Sequence, residues 1–327
     1  MVEVYETFAA QAGESRKVQL IHPSSVTSRA SHSASILPPL PLAYLSAVLR
    51  EAGYPVGIIE GQGDGIYNFR ISDCGRYNIQ GLTTEEILGQ IEPETIVVGI
   101  SLMFSYEWLI QRELIKAIKA RFPKVIIVVG GEHPTALPEY VLRDCPEIDC
   151  VVSGEGEFTF LELVSKVFGS QDFQSSPGVS CINKEGQFVF NGLSNRIAHI
   201  DDIPRPAWDL CNIENYLQPN WSMGVSLGRN MPITASRGCP YQCTFCSNPT
   251  MWTTRYTMRD PADVADEFEQ LVKVYDANNI DFVDLTAIVR KDWTLKFCDE
   301  LKRRNLKIPW QLPSGTRSEA LDEEVLQ

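Results

Sequence analysis

Histidine is scarce in this chain, four in 327 residues, and no second Cys or His pair as closely spaced as those of its one cysteine-rich run occurs elsewhere to complete a zinc tetrahedron. Nine cysteines are an odd number without the regular spacing of a disulfide framework, which disfavours an oxidising compartment. No apolar run approaches the roughly 18 residues that cross a bilayer. The start, Met1-Val2-Glu3-Val4-Tyr5-Glu6, lacks the basic and apolar regions of a secretory signal, so a cytoplasmic protein without a membrane anchor is expected. Basic residues are also in deficit. Twenty-nine Lys and Arg against forty-two Asp and Glu give a net charge of −13, which disfavours nucleic acid and anionic lipid and favours a small-molecule substrate. With 44% apolar residues, the chain has the size and composition of about two globular domains.

From Lys17 onward, short apolar runs alternate with amphipathic helical patterns. Strands are expected at Val18 to Ile21, Val56 to Ile59, Ile96 to Ser101, Val125 to Val129 and Cys150 to Ser153. Each is an unbroken apolar run of the kind buried on both faces of a parallel sheet. Helices are expected over Leu42 to Ala52 with Gly53 as a left-handed stop, after a capping box at Thr83-Thr84-Glu85-Glu86, and over Glu107 to Phe122 and Glu157 to Phe168. The stretch from Gly61 to Gly81 reads as a polar, glycine-rich insertion. Its Gly61-x-Gly63-x-Gly65 run is weak support for a nucleotide or flavin fold, because it neither follows the first strand nor opens a helix. From Gly169 to Asn230 the periodicity shortens to a hairpin, Val179 to Ile182 and Phe188 to Phe190, and then a proline-rich linker in which Trp208 is expected to anchor the chain. Pro232 to Ser236 then reads as a strand, Asp260 and Pro261 as the start of a helix, and Ile280 to Leu285 as a strand. Asp292 is expected to cap the next helix, Trp310 to Leu312 to form a strand, and Asp322-Glu323-Glu324 to open a last helix.

The run Arg237-Gly238-Cys239-Pro240-Tyr241-Gln242-Cys243-Thr244-Phe245-Cys246 presents three thiols from one short loop. Three ligands leave one corner of a metal site open, which points to chemistry on a bound small molecule rather than to architecture. A zinc knuckle or three reduced structural thiols are the alternatives.

The C-x3-C-x2-C spacing, the aromatic Phe245 before the last cysteine and the preceding Arg-Gly resemble the radical SAM superfamily. That resemblance implies that Cys239, Cys243 and Cys246 hold a 4Fe-4S cluster whose open iron binds S-adenosylmethionine, with Phe245, Asp284 and Arg317 as further contacts to it. Leu285-Thr286-Ala287-Ile288 departs from the acidic-then-aromatic pattern usual at that position. The segments Pro38-Pro39-Leu40-Pro41-Leu42-Ala43-Tyr44-Leu45, Gly99-Ile100-Ser101, Gly130-Gly131-Glu132-His133 and Gly154-Glu155-Gly156-Glu157 resemble the cobalamin-binding domain that precedes many radical SAM domains. This second resemblance implies that Ser101, Gly130, Gly131, Glu132, Gly154, Glu155 and Gly156 face cobalamin at the carboxyl ends of the strands. The run D-x-H-x-x-G, whose histidine ligates cobalt in some cobalamin domains, is missing here, and His133 beside Pro134 is expected to be a loop or capping residue.

The expected fold is therefore α/β: a doubly wound, flavodoxin-like parallel sheet of cobalamin-binding Rossmann type over 15–170, a connector over 171–229, and the first half of a radical SAM partial (β/α) barrel over 230–327. Only about three βα repeats follow Cys239 where the resemblance implies six, so a truncated fragment, inactive by itself, is expected. The activity implied is that of a cobalamin-dependent radical SAM enzyme methylating an unactivated carbon of a small metabolite, fed by an external flavodoxin or ferredoxin. A cyclase, rearrangement or oxidation enzyme is the alternative, and a non-catalytic cobalamin and zinc module is a third reading. The scattered Cys74, Cys145, Cys150, Cys181, Cys211 and Cys298 are expected to be ordinary thiols.

Overall fold

The computed structural model describes Tyr5 and residues 16–30, 36–219 and 224–326. The acidic start, Tyr5 apart, and positions 220–223 of the expected connector lie outside the described residues. The chain divides into two units. One comprises Met1–Ala34, Pro39–Arg196 and Pro204–Asn212; the other comprises Ser35–Pro38, Ile197–Ile203 and Ile213–Gln327.

The first unit carries β1 (Lys17–His22), β2 (Ser25–Ser28), β3 (Val56–Glu60), β4 (Phe69–Ile71), β5 (Tyr77–Gln80), β6 (Thr95–Ser101), β7 (Ile126–Gly130), β8 (Cys150–Val152), β9 (Val179–Ile182) and β10 (Phe188–Phe190). Its main sheet runs β10-β9-β8-β7-β6-β1-β3, and the pairs from β8 to β3 are parallel. The five parallel strands are the five expected from their apolar runs. Taken in chain order they lie second, first, third, fourth, fifth, the flavodoxin-like order. Val18, Leu20, Val97, Ile127 and Val129 are fully buried, as strands covered on both faces require. The one polar residue inside β1, Gln19, is satisfied: its amide donates to Gln90 O and its carbonyl accepts from Glu92 N and Thr95 Oγ1. Gly53 ends the helix Leu40–Glu51 at φ +83, and Thr83 and Glu86 make the expected reciprocal capping box.

Two regions differ from their sequence reading. The glycine-rich insertion is structured, since β4 and β5 pair antiparallel and β2 adds to them as a three-stranded sheet. Its alternation is masked in sequence because Phe69 and Ile71 lie on the exposed side while the Arg70 guanidinium turns to Gly81 O and Leu82 O. The expected connector is divided between the two units. Within it, β9 pairs antiparallel with β8 and extends the main sheet, and Ala207 N donates to Ala43 O at 3.0 Å with Trp208 buried beside it.

The second unit carries β11 (Asn230–Ile233), β12 (Ser236–Arg237), β13 (Thr257–Met258), β14 (Asn279–Phe282) and β15 (Trp310–Gln311). Strands β11, β14 and β15 form a parallel sheet, and β12 and β13 a separate antiparallel pair. Phe282 meets Phe297 and Trp310 edge to face, so the helix Lys291–Arg303 packs on the sheet through aromatic rings. Asp260 caps the helix Pro261–Tyr275 by accepting from Ala262 N and Asp263 N, as expected. Asp292 does not cap its helix. The helix starts one residue earlier, at Lys291, leaving Asp292 in the first turn, paired with Arg290 at 2.8 Å.

Candidate functional site

In a doubly wound sheet the crevice lies where the strand order reverses, here at the carboxyl ends of β1 and β6. Ser101 is the last residue of β6 and lies in register with Gly130 on β7. Gly131 follows at φ +112, and a Cβ there would sit 2.5 Å from the Leu102 carbonyl oxygen. Glu132 then opens a short helix and is half-buried. At the end of β8, Gly154 has φ +90, donates to Thr135 Oγ1 at 3.2 Å, and leaves no room for a Cβ beside Ser194 Oγ. Ser101, Gly130, Gly131, Glu132, Gly154 and Gly156 therefore share one edge of the sheet. Glu155 is placed differently. Its side chain is buried and pairs with Arg196 Nη1 at 3.3 Å, so it braces the loop.

This edge fits a bulky ligand with a hydrogen-bonding tail. The glycines keep the loops low, and the Ser153 and Ser194 hydroxyls are buried without a hydrogen-bond partner. Met103, Phe104 and Tyr106 form an exposed apolar ledge after β6, with Phe104 stacked on Tyr106. His133 is buried, its Nδ1 2.9 Å from Ser105 Oγ and its ring against Trp108, and burial pushes its pKa down. It is a packed residue in the first turn of the short helix Glu132–Ala136, not the loop or capping residue expected.

Two titratable groups at this edge escaped the sequence reading. Burial drives His22, at the end of β1, down to about 4, so it stays neutral. Glu107 is buried behind the ledge, where its carboxylate accepts from Val26 N and Gln111 Nε2, both at 2.9 Å, and burial raises its pKa from 4.5 to about 7. Between those values the unfolded chain is ionised while the folded chain holds the proton. Folding stability therefore falls as pH rises through that window. Glu107→Gln keeps the acceptor for Val26 N and removes the charge. We expect it to match the parent near pH 4.5 and to exceed it by about 3 kcal/mol at pH 8, measured by urea unfolding at both pH values.

In the second unit the three cysteines lie on the irregular segment after β12. Cys239 and Cys243 are half-buried, Cys246 is exposed, and all three are reduced. Cys246 N donates to Cys243 O at 3.1 Å, and the buried Asn248 staples the loop by donating to Cys239 O and Thr253 O. Asn248 N points at Cys246 Sγ and Arg317 Nη2 at Cys243 Sγ, each at 3.5 Å, and the Arg317 guanidinium also lies 4.2 Å over the Tyr241 ring. Donors aimed at sulfur are the outer contacts that cluster-ligating sulfurs receive, so the donor chemistry fits a cysteine-held cluster. The three side chains are not gathered to one point, and among the described residues no three His, Cys, Asp or Glu form a metal-ligating group. Phe245 is 91% exposed. Asp284 is buried: Ala235 N and Ser236 Oγ donate to it, and burial raises its pKa to about 6. Thus Arg317 reaches the cysteine loop itself, whereas Asp284 lies beneath the loop's root.

The chain thus carries a parallel sheet with an open carboxyl edge, followed by a unit that presents three thiols on one loop. Residues 27–164 match the B12 binding domain family. The chain is 28% identical over 340 aligned residues to cytidylyl-2-hydroxyethylphosphonate methyltransferase of Streptomyces wedmorensis, covering 95% of this chain and 62% of that protein. It is 29% identical over 314 to anaerobic magnesium-protoporphyrin IX monomethyl ester cyclase of Rubrivivax gelatinosus, covering 95% and 52%. The solved structure of the cobalamin-dependent S-adenosylmethionine radical enzyme OxsB, with aqua-cobalamin and S-adenosylmethionine bound, shares its fold at a TM-score of 0.72 and 18% identity, over 94% of this chain and 39% of that one. Residues 27–164 thus carry a B12 binding domain, and the whole chain shares the fold of a solved cobalamin-dependent radical enzyme. It spans between 52% and 62% of the lengths of the two curated relatives.

Proposed function

We propose that the chain is the cobalamin- and cluster-binding portion of a cobalamin-dependent radical SAM enzyme that methylates an unactivated carbon of a small metabolite. The observation carrying this reading is the order of the two sites along one chain, a glycine-cleared sheet edge and then a three-thiol loop. Cys239, Cys243 and Cys246 would hold the 4Fe-4S cluster, with Phe245 and Arg317 at its open side. Ser101, Gly130, Gly131, Glu132, Gly154 and Gly156 would receive cobalamin, with Ser153 and Ser194 offering hydroxyls to its tail and the apolar ledge a surface for its ring. When bound, these groups supply one-electron cleavage of S-adenosylmethionine and methyl transfer. The chain's own residues direct sulfur donors, exclude bulk at the strand ends and hold the loops in place. Electrons would come from a flavodoxin- or ferredoxin-type donor in a reducing cytoplasm, in keeping with nine free cysteines. Among the described residues no helix is long and apolar enough to cross a membrane.

Similarity to the cyclase of Rubrivivax gelatinosus supports a second reading, the same cofactors without methyl transfer to substrate. One experiment separates them. The full-length protein that contains this chain, reconstituted anaerobically, is given cobalamin, reductant and S-adenosylmethionine labelled on its methyl group. Label passing through cobalamin to an acceptor supports methylation; 5'-deoxyadenosine formed while the label stays put supports the cyclase-type reading. Protein that binds zinc and no iron overturns both.

A further inference from the structure

We propose that Asp284 and Ser236 are positioning residues for the three-cysteine loop, fixing the direction in which Cys239 leaves the sheet. The inference rests on the reading that this loop holds the cluster. Asp284 lies just past β14 and is 2% exposed. Its carboxylate oxygens accept from Ala235 N at 3.1 and 3.2 Å, and Oδ1 accepts from Ser236 Oγ at 2.5 Å. Ser236 opens β12, and two residues later Gly238 turns the chain at φ +81 into Cys239.

The far root of the loop returns to the same spot. Strand β13 pairs Met258 with Ser236 and Thr257 with Arg237, and Arg259 N donates to Ala235 O at 2.8 Å. The Arg259 guanidinium is buried against Thr234 O, Glu267 and Asp263, which locks this second root. Just before it, Tyr256 donates to Thr286 O at 3.2 Å, two residues beyond Asp284. Both ends of the cysteine loop therefore meet at Ala235 and Ser236, and the group gripping those two residues from the neighbouring strand is Asp284.

A carboxylate is costly to bury, and only donors in fixed directions compensate it. Asparagine is nearly isosteric but presents an NH2 where Asp284 presents oxygen, so one of the donors it faces would meet another donor. The same strand supplies a control. Asp281 is 1% exposed, and its donors are Asn230, Asn279 and Gln311, none of which belongs to the loop.

The test uses reconstituted parent, Asp284→Asn, Asp281→Asn and Ser236→Ala proteins under argon. The readouts are the rate of iron loss to a ferrous chelator, the EPR spectrum of the reduced protein and the melting temperature. Asp284→Asn is expected to lose iron about tenfold faster than the parent with shifted g values, in line with the cost of changing groups that orient metal ligands. Ser236→Ala should move both readouts the same way by a smaller factor, and it decides the matter if Asp284→Asn does not fold. Asp281→Asn should lower the melting temperature while keeping the parent's iron-loss rate and spectrum. The inference is overturned if the Asp284 and Ser236 variants keep the parent's rate and spectrum, or if Asp281→Asn loses iron as fast as they do. A parent protein that takes up no iron refutes the cluster reading itself, and the inference falls with it.

Discussion

Cys243→Ala is expected to cut iron retention after anaerobic reconstitution by about a hundredfold or more and, in the full-length protein that contains this chain, to abolish 5'-deoxyadenosine formation from S-adenosylmethionine. Groups that merely orient metal ligands cost about ten- to a hundredfold when changed, so removal of a ligand thiolate should lie at or beyond that range. The structure indicates why the loss would be chemical. Cys243 is half-buried on an irregular segment, and its carbonyl keeps the hydrogen bond from Cys246 N whatever the side chain. Arg317 loses its sulfur acceptor but still lies on the Tyr241 ring. The variant should therefore melt within a few degrees of the parent. Cys298→Ala, on the helix Lys291–Arg303, supplies the comparison: its thiol is half-buried away from the loop, burial raises its pKa, and its removal should leave iron content unchanged. Equal iron in the Cys243→Ala and parent proteins, or zinc alone in the parent, would remove the basis for a radical enzyme.

The parts of this molecule legible in the sequence are those set by local chemistry. Five apolar runs became five parallel strands, because a strand buried on both faces admits few polar residues. Thr83 with Glu86, Asp260 with Pro261, and Gly53 acted as helix signals because each satisfies or ends a backbone pattern within four residues. The three-cysteine spacing was equally local. What escaped was set by partners distant in sequence. Nothing near Ile79 announces that β5 will pair with β2, more than fifty residues earlier, and the edge position of β9 depends on β8. Asp284 reads as a strand-end acid suited to a ligand, and only its donors from positions 235 and 236 turn it inward. Glu107 looks like an ordinary polar residue at a helix start until Val26 N is found against it.

Gly131→Ala should be the most damaging single-methyl change at the edge proposed to receive cobalamin, lowering stability by about 3 kcal/mol and abolishing cobalamin binding in any protein that still folds. Two costs coincide at this position. Its φ of +112 is a region that residues with a Cβ rarely occupy. The added carbon would also lie 2.5 Å from Leu102 O, 3.1 Å from Leu102 C and 3.3 Å from Leu102 N, all of them backbone atoms. Leu102 has no freedom to retreat: it is fully buried, its N–H donates to Gly130 O at 2.8 Å, and its carbonyl accepts from His133 N. Relief would have to come from the turn between β7 and the helix Glu132–Ala136, the segment that separates Ser101 from Gly154 along the sheet edge. Strain at this glycine and loss of the ligand surface are thus the same event. Gly75→Ala separates the two costs, since Gly75 also has a positive φ, +71, but nothing within 4 Å of a new Cβ. It should cost about 1 kcal/mol and leave cobalamin affinity untouched. Urea unfolding with and without cobalamin measures both effects. A Gly131→Ala protein that unfolds at the parent's midpoint and still binds cobalamin would show that this close approach to Leu102 is not what shapes the edge.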